Sequence, residues 1–189
     1  MKISNFYTRI AGPGGVLVLW AGVSTSLILA HMSIVAPRPL SYLGINPRTA
    51  LVFNISLFVA SLFFLAFFRY VYRNFSTSRS FAVAFIVGQF CQMIVAIVPV
   101  QGSGHSHAIH TAAGLTLGIS LPIVIWRFAK SQTAPTLRRY ARLFSYIELV
   151  LCIIGVILSR NTIGPLAEIL AAVGFDVWII WLALTKPQC

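Results

Sequence analysis

Six runs of about twenty apolar residues constrain this chain more than any other feature. They are Gly15–Ala36, Thr49–Tyr72, Phe81–Val100, Ala108–Phe128, Ala141–Leu158 and Pro165–Leu184. At 1.5 Å per helical residue, about 20 residues cross the roughly 30 Å hydrocarbon core of a bilayer. No water is available there, so a lone segment must satisfy its backbone groups internally, as a helix does. Composition points the same way. The chain is 58% hydrophobic and 9% charged over 189 residues, against about 45–50% and about 25% in soluble domains. A single small core could not bury that much apolar surface. The expected fold is all-α, a polytopic membrane protein of six transmembrane helices. The linkers are too short for a folded soluble domain, so residues 1–189 are read as one domain.

The breaks between runs are punctuated. Pro37, Pro39 and Pro47 bracket the first linker, Asn74 to Ser78 form the second, and Gly102-Ser103-Gly104 lie in the third. Pro135 marks the fourth. Gly164-Pro165 opens the sixth run, with proline in a first turn, where its missing N–H costs least. Ala84/Gly88 and Gly114/Gly118 repeat small residues at four-residue spacing, which predicts close helix approach. Pro122 predicts a kink in the fourth helix.

Basic residues divide unequally between the two sides. Lys2, Arg9, Arg69, Arg73, Arg79, Arg127, Lys130, Arg138, Arg139, Arg142 and Lys186 fall on the side of the termini, and Arg38, Arg48 and Arg160 on the other. Eleven against three predicts both termini in the cytoplasm. The expected location is a plasma membrane, multi-pass, in a bacterial or archaeal cell. The first run is too long for the apolar stretch of a cleaved signal peptide, and is expected to stay as an anchor. The net charge of +11 does not call for nucleic acid, because the basic residues lie between apolar runs instead of forming one water-facing surface. The expected partners are the bilayer itself and anionic inner-leaflet lipids, drawn to the basic linker Arg127–Arg142. Nothing in the pattern specifies an oligomeric state. Cys91, Cys152 and Cys189 have no disulfide or metal-type spacing.

All three acidic side chains, Glu148, Glu168 and Asp176, fall inside apolar runs. Ionisable groups at such depth are expensive and face a bundle interior or a wet cavity. Glu168 lies three residues after Pro165, where the helix dipole and free N–H groups favour a carboxylate, so capping its own helix is the plain reading. Glu148 lies six residues past Arg142, about 9 Å, close enough to pair with it. Asp176 is eleven residues past Pro165, about 16 Å in. It is expected either to hold a proton or to be hydrogen-bonded across to another helix.

Histidine placement is the sharpest signal. His105, His107 and His110 form HxHxxH at the mouth of the fourth run, with His107 and His110 on one helix face. His31 falls about 9 Å inside the first run, counted from Pro37. Asn54 and Glu168 lie at similar depth in the second and sixth. A metal could take His31, His107, His110 and Glu168, since imidazole and carboxylate suit zinc or another divalent transition metal. A bis-histidine haem between His31 and His110 is a lesser option. The plain alternative is a polar turn at headgroup level with no cofactor, and no cofactor is the primary expectation. No lysine lies mid-span, which argues against a retinal Schiff base.

Leu40-Ser41-Tyr42-Leu43-Gly44 followed by Val52-Phe53-Asn54, then Ile97-Val98-Pro99 with His110-Thr111-Ala112-Ala113-Gly114, then Gly164-Pro165-Leu166-Ala167-Glu168 with Trp178, resemble the bacterial and archaeal membrane family catalogued as domain of unknown function 998. The resemblance covers roughly Gly15 to Leu184. It implies six helices and an outward-facing polar cluster, and it implies no activity. His105 and His107 stand outside its pattern.

Three functional classes follow. The leading one is a binding or transport-like membrane protein with an outer-leaflet polar pocket around His31, Asn54, His110 and Glu168, and Asp176 as a deeper protonatable site. The second is a metal-dependent membrane hydrolase acting on lipid, with His31, His107 and His110 as ligands and Glu168 as ligand or base. The third is a structural membrane subunit.

Overall fold

A computed structural model describes residues 3–98, 100, 104–160 and 164–186. Lys2, Pro99, Gly102, Ser103 and Cys189 lie outside the described residues. The architecture is six α-helices: α1 Ile3–Leu29, α2 Ala50–Asn74, α3 Arg79–Ile97, α4 His105–Ser131, α5 Pro135–Arg160 and α6 Gly164–Leu184. A 3₁₀ turn over Leu40–Gly44 joins α1 to α2. All six helices are long and apolar enough to cross a membrane, and this is a multi-pass membrane fold. No strand occurs among the described residues.

Helices α1, α2, α3, α4 and α6 pack pairwise into a closed ring, and α5 lies outside it against α4 and α6. Apolar burial from water does not drive helix association in lipid, so close packing must hold such a ring. Gly12 shows how α1 achieves it. A Cβ there would sit 2.7 Å from Phe67 Cδ2 and 2.9 Å from Ile179 Cγ2. Only a bare backbone fits between α2 and α6 at that point.

Most helices run beyond their apolar cores, because helical geometry continues through the basic ends. Helix α5 begins at Pro135, and α4 runs unbroken from His105 to Ser131 through Pro122. Helix α1 departs most from the expected Gly15–Ala36. It starts earlier, contains Pro13, and stops at Leu29. Its end is a Schellman motif: Met32 N–H donates to Leu27 O and His31 N–H to Ile28 O, both at 3.0 Å. His31 occupies the left-handed position of that motif, with φ 51°. The expected site 9 Å inside the first span is therefore corrected: His31 is an exposed residue just beyond the helix. Left-handed backbone costs a residue with a Cβ about 1 kcal/mol relative to glycine. His31→Gly should raise unfolding stability by about that amount. Loss of stability in a thermal or denaturant titration would show that the imidazole makes an essential contact.

The two halves of the ring differ. Toward the termini it is filled by aromatic side chains packed at tilted and edge-on angles. Phe85 and Phe175, Phe175 and Trp178, and Phe128 and Trp178 pair at ring-centroid distances of 6.1, 5.6 and 5.5 Å. Toward the 3₁₀ turn the ring is hollow.

Candidate functional site

The hollow is a cavity of about 480 Å³, within the range of about 300–1,000 Å³ typical of ligand pockets. Pro39, Leu40 and Ser41 contribute to its wall at the end of the 3₁₀ turn, and Phe64 and Phe175 at the aromatic end. Leu19, Trp20 and Val23 of α1, Phe53 and Leu57 of α2, Gln92 and Val95 of α3, and faces of α4 and α6 complete it. The lining is mainly apolar. The polar side chains in it include Gln92, His107, His110, Glu168 and Asp176.

Each of these is placed by an identifiable contact or element. Asp176 is buried on α6, and its Oδ2 accepts from Trp20 Nε1 of α1 at 2.8 Å. Trp20 is thus the cross-helix partner that the depth of Asp176 requires. Gln92 Nε2 donates to Leu57 O at 3.2 Å and ties α3 to α2. His110 is buried, and its Nδ1 lies 2.6 Å from Val98 O. A carbonyl only accepts, so Nδ1 carries the hydrogen, and in the neutral ring Nε2 is the acceptor. His107, one turn earlier on α4, is exposed.

Among the described residues, Glu168 does not cap its own helix. Its carboxylate faces the backbone N–H groups of Leu40 and Ser41, at the start of the 3₁₀ turn. A carboxylate facing the free N–H groups of a helical turn is a favourable pairing, here made across the fold. The linker after α1 is fastened to α6 a second time, by Leu166 N–H donating to Ile34 O at 3.0 Å.

Glu148 also departs from expectation. Among the described residues it makes no ion pair with Arg142. It is fully buried, its Oε1 is 3.7 Å from Cys152 Sγ, and its Oε2 is directed at the backbone around Gly174. The helix turn carries it inward to α6, while Arg142 is exposed.

Of the residues singled out in sequence, His107, His110, Glu168 and Asp176 share the cavity wall. His31 and Asn54 do not line it. Asn54 Nδ2 donates to Gly44 O at 3.1 Å, bracing the 3₁₀ turn against α2. Among the described residues, no three His, Cys, Asp or Glu side chains form a group that could hold a metal ion.

Sequence reasoning missed the space beside α4. Gly114 and Gly118 were expected to bring helices together, yet a Cβ at either would meet nothing within 4 Å. The pair at Ala84 and Gly88 differs: a Cβ on Gly88 would lie 2.5 Å from Ser120 Oγ of α4, a close approach. At Gly114 and Gly118 the small residues leave space. A second hollow, a groove between α4 and α5, shares Gly114, Leu115, Gly118, Glu168 and Ala171 with the cavity. Its other walls include Ile119, Ile123, Leu149 and Val156, all exposed on the apolar flank of the bundle. The cavity and the lipid-facing flank thus have a common wall of small residues with one carboxylate in it.

The family model described as a protein of unknown function, DUF998, matches residues 10–185. The chain belongs to this family. The match takes in five of the helices whole, α1 from residue 10 onward, and the whole cavity wall. No curated protein and no solved structure matches the chain.

Proposed function

We propose that this DUF998 protein binds a small amphiphile inside the membrane, admitted sideways from the bilayer past Gly114 and Gly118. The observation that carries the reading is the cavity of about 480 Å³ that shares its wall, Glu168 included, with the lipid-facing groove. Glu168, Asp176 and the Nε2 of a neutral His110 are hydrogen-bond acceptors, so the complementary ligand bears a hydroxyl or ammonium group on an apolar body. Burying an acceptor unpaired is costly, which favours a ligand that supplies donors. The aromatic packing beneath the cavity fits a binding cup better than an open pore. The eleven-to-three basic asymmetry supports cytoplasmic termini in a plasma membrane, with the cavity in the outer half.

The test uses a photoactivatable dodecyl amine and its dodecyl alcohol counterpart as probes, with the protein in lipid nanodiscs. Gly118→Leu should fold, because the site is open and leucine is a better helix former than glycine. Labelling of α4 and α6 should fall at least tenfold in that variant. Undiminished labelling in folded Gly118→Leu would reject lateral access. Absence of labelling in the unsubstituted protein, with either probe, would reject the binding reading itself.

A further inference from the structure

Away from the cavity, a second groove runs between α3 and α4 on the bundle surface, with a volume of about 660 Å³. Arg79 and Ser80 at the start of α3 and Arg127 near the end of α4 line it, and below them lie Val83, Val87 and Ile123. We propose that this groove is a binding site for one anionic diacyl phospholipid, its phosphate held between Arg79 and Arg127 and its acyl chains along the apolar floor.

Charge carries the first half of the argument. The chain has 14 basic side chains and three acidic ones. The acids are Glu148, Glu168 and Asp176, all on α5 and α6 and directed into the bundle or its hollows. Among the described residues neither Arg79 nor Arg127 is in an ion pair, and both are exposed. Lys130 is committed elsewhere, its Nζ 5.0 Å from the Trp126 ring centroid on the flank toward α5. Arg138 donates through Nε and Nη2 to Gln132 O at 2.8 and 2.6 Å. Two arginines at one groove, with no carboxylate among the described residues to answer them, suit a phosphate, which guanidinium forks match in geometry.

Length carries the second half. From Arg79 to Val87 is eight residues, about 12 Å of helix, and from Arg127 back to Thr116, which also lines the groove, is eleven, about 16 Å. Half of a roughly 30 Å hydrocarbon core is about 15 Å. The groove therefore spans the depth of one leaflet, with its cationic end where that leaflet's headgroups lie. Val83, Val87, Ile119 and Ile123 are all substantially exposed along it. An acyl chain covers such a surface as a protein neighbour would.

Native mass spectrometry of detergent-purified protein, titrated with dioleoyl phosphatidylglycerol or dioleoyl phosphatidylcholine, tests the site. The anionic lipid should bind the more tightly, and R79Q/R127Q should weaken it by roughly 30-fold, from about 1 kcal/mol per charge. The surface control R139Q/R142Q should change it less than threefold. Both pairs are exposed, and circular dichroism checks the fold of each variant. Equal loss in the control would reduce the effect to general surface charge and overturn the site. Glycerol phosphate, which has the headgroup chemistry without chains, should not compete at millimolar concentration. Effective competition by it would overturn the role of the groove.

Discussion

Trp178→Ala is expected to lower the unfolding free energy by about 3–5 kcal/mol, the range for truncating a large buried aromatic. Trp178→Phe should leave it within about 1 kcal/mol. Trp178 is fully buried on α6, between Phe128 of α4 and Phe175 of its own helix. In lipid, its contribution comes chiefly from dispersion contacts and the absence of a void. Alanine leaves a hole that helices locked in a ring cannot close. Phenylalanine keeps a ring in place, and it removes an indole N–H that has no hydrogen-bond partner among the described residues. Deleting an unsatisfied buried donor offsets part of the lost volume. Reversible unfolding in mixed micelles, or steric trapping in bicelles, measures both. Equal stability of the two variants would mean that the aromatic half is not close-packed around this residue. Trp178→Ala should also loosen the base of the cavity and so weaken the proposed amphiphile binding.

The six helices were legible because each is announced by about twenty apolar residues, a signal that needs no knowledge of neighbours. Ends were less legible. Ile34 and Val35 read as part of the first span, yet the chain has already left the helix at His31, and both are exposed. Hydropathy reports preference for lipid, whereas a Schellman motif is a matter of backbone conformation that histidine does not advertise.

The site was half legible for a related reason. Acids in apolar runs identify themselves by cost, so Glu168 and Asp176 could be singled out from sequence, although of these two only Asp176 is buried. Their partners could not. The N–H groups that Glu168 faces belong to Leu40 and Ser41, more than a hundred residues away, and Trp20 is as distant from Asp176. Gly114 and Gly118 show the same limit. Small residues at four-residue spacing permit a close contact or an open space, and which one forms depends on where the neighbouring helices lie.

Glu148 provides the most discriminating test of helix placement, through Gly174→Val. A Cβ at position 174 would overlap Glu148 Oε2 and would come within 3.0 Å of Leu151 Cδ1. Overpacking of this kind costs typically about 1–3 kcal/mol, and the fully buried carboxylate has no open water into which to retreat. Gly174→Val should therefore lower stability by about 3 kcal/mol. Glu148→Ala removes the obstructing atoms, so Gly174→Val should cost less in that background. The two should couple by about 1–3 kcal/mol in a double-mutant cycle, the range for residues in contact. Arg142→Gln, an exposed change, should stay within about 0.5 kcal/mol and show no coupling to either. Coupling of Glu148 to Arg142 instead of Gly174 would place the carboxylate at the basic end of α5. It would then face the headgroups, and α5 would have to be rotated against α6.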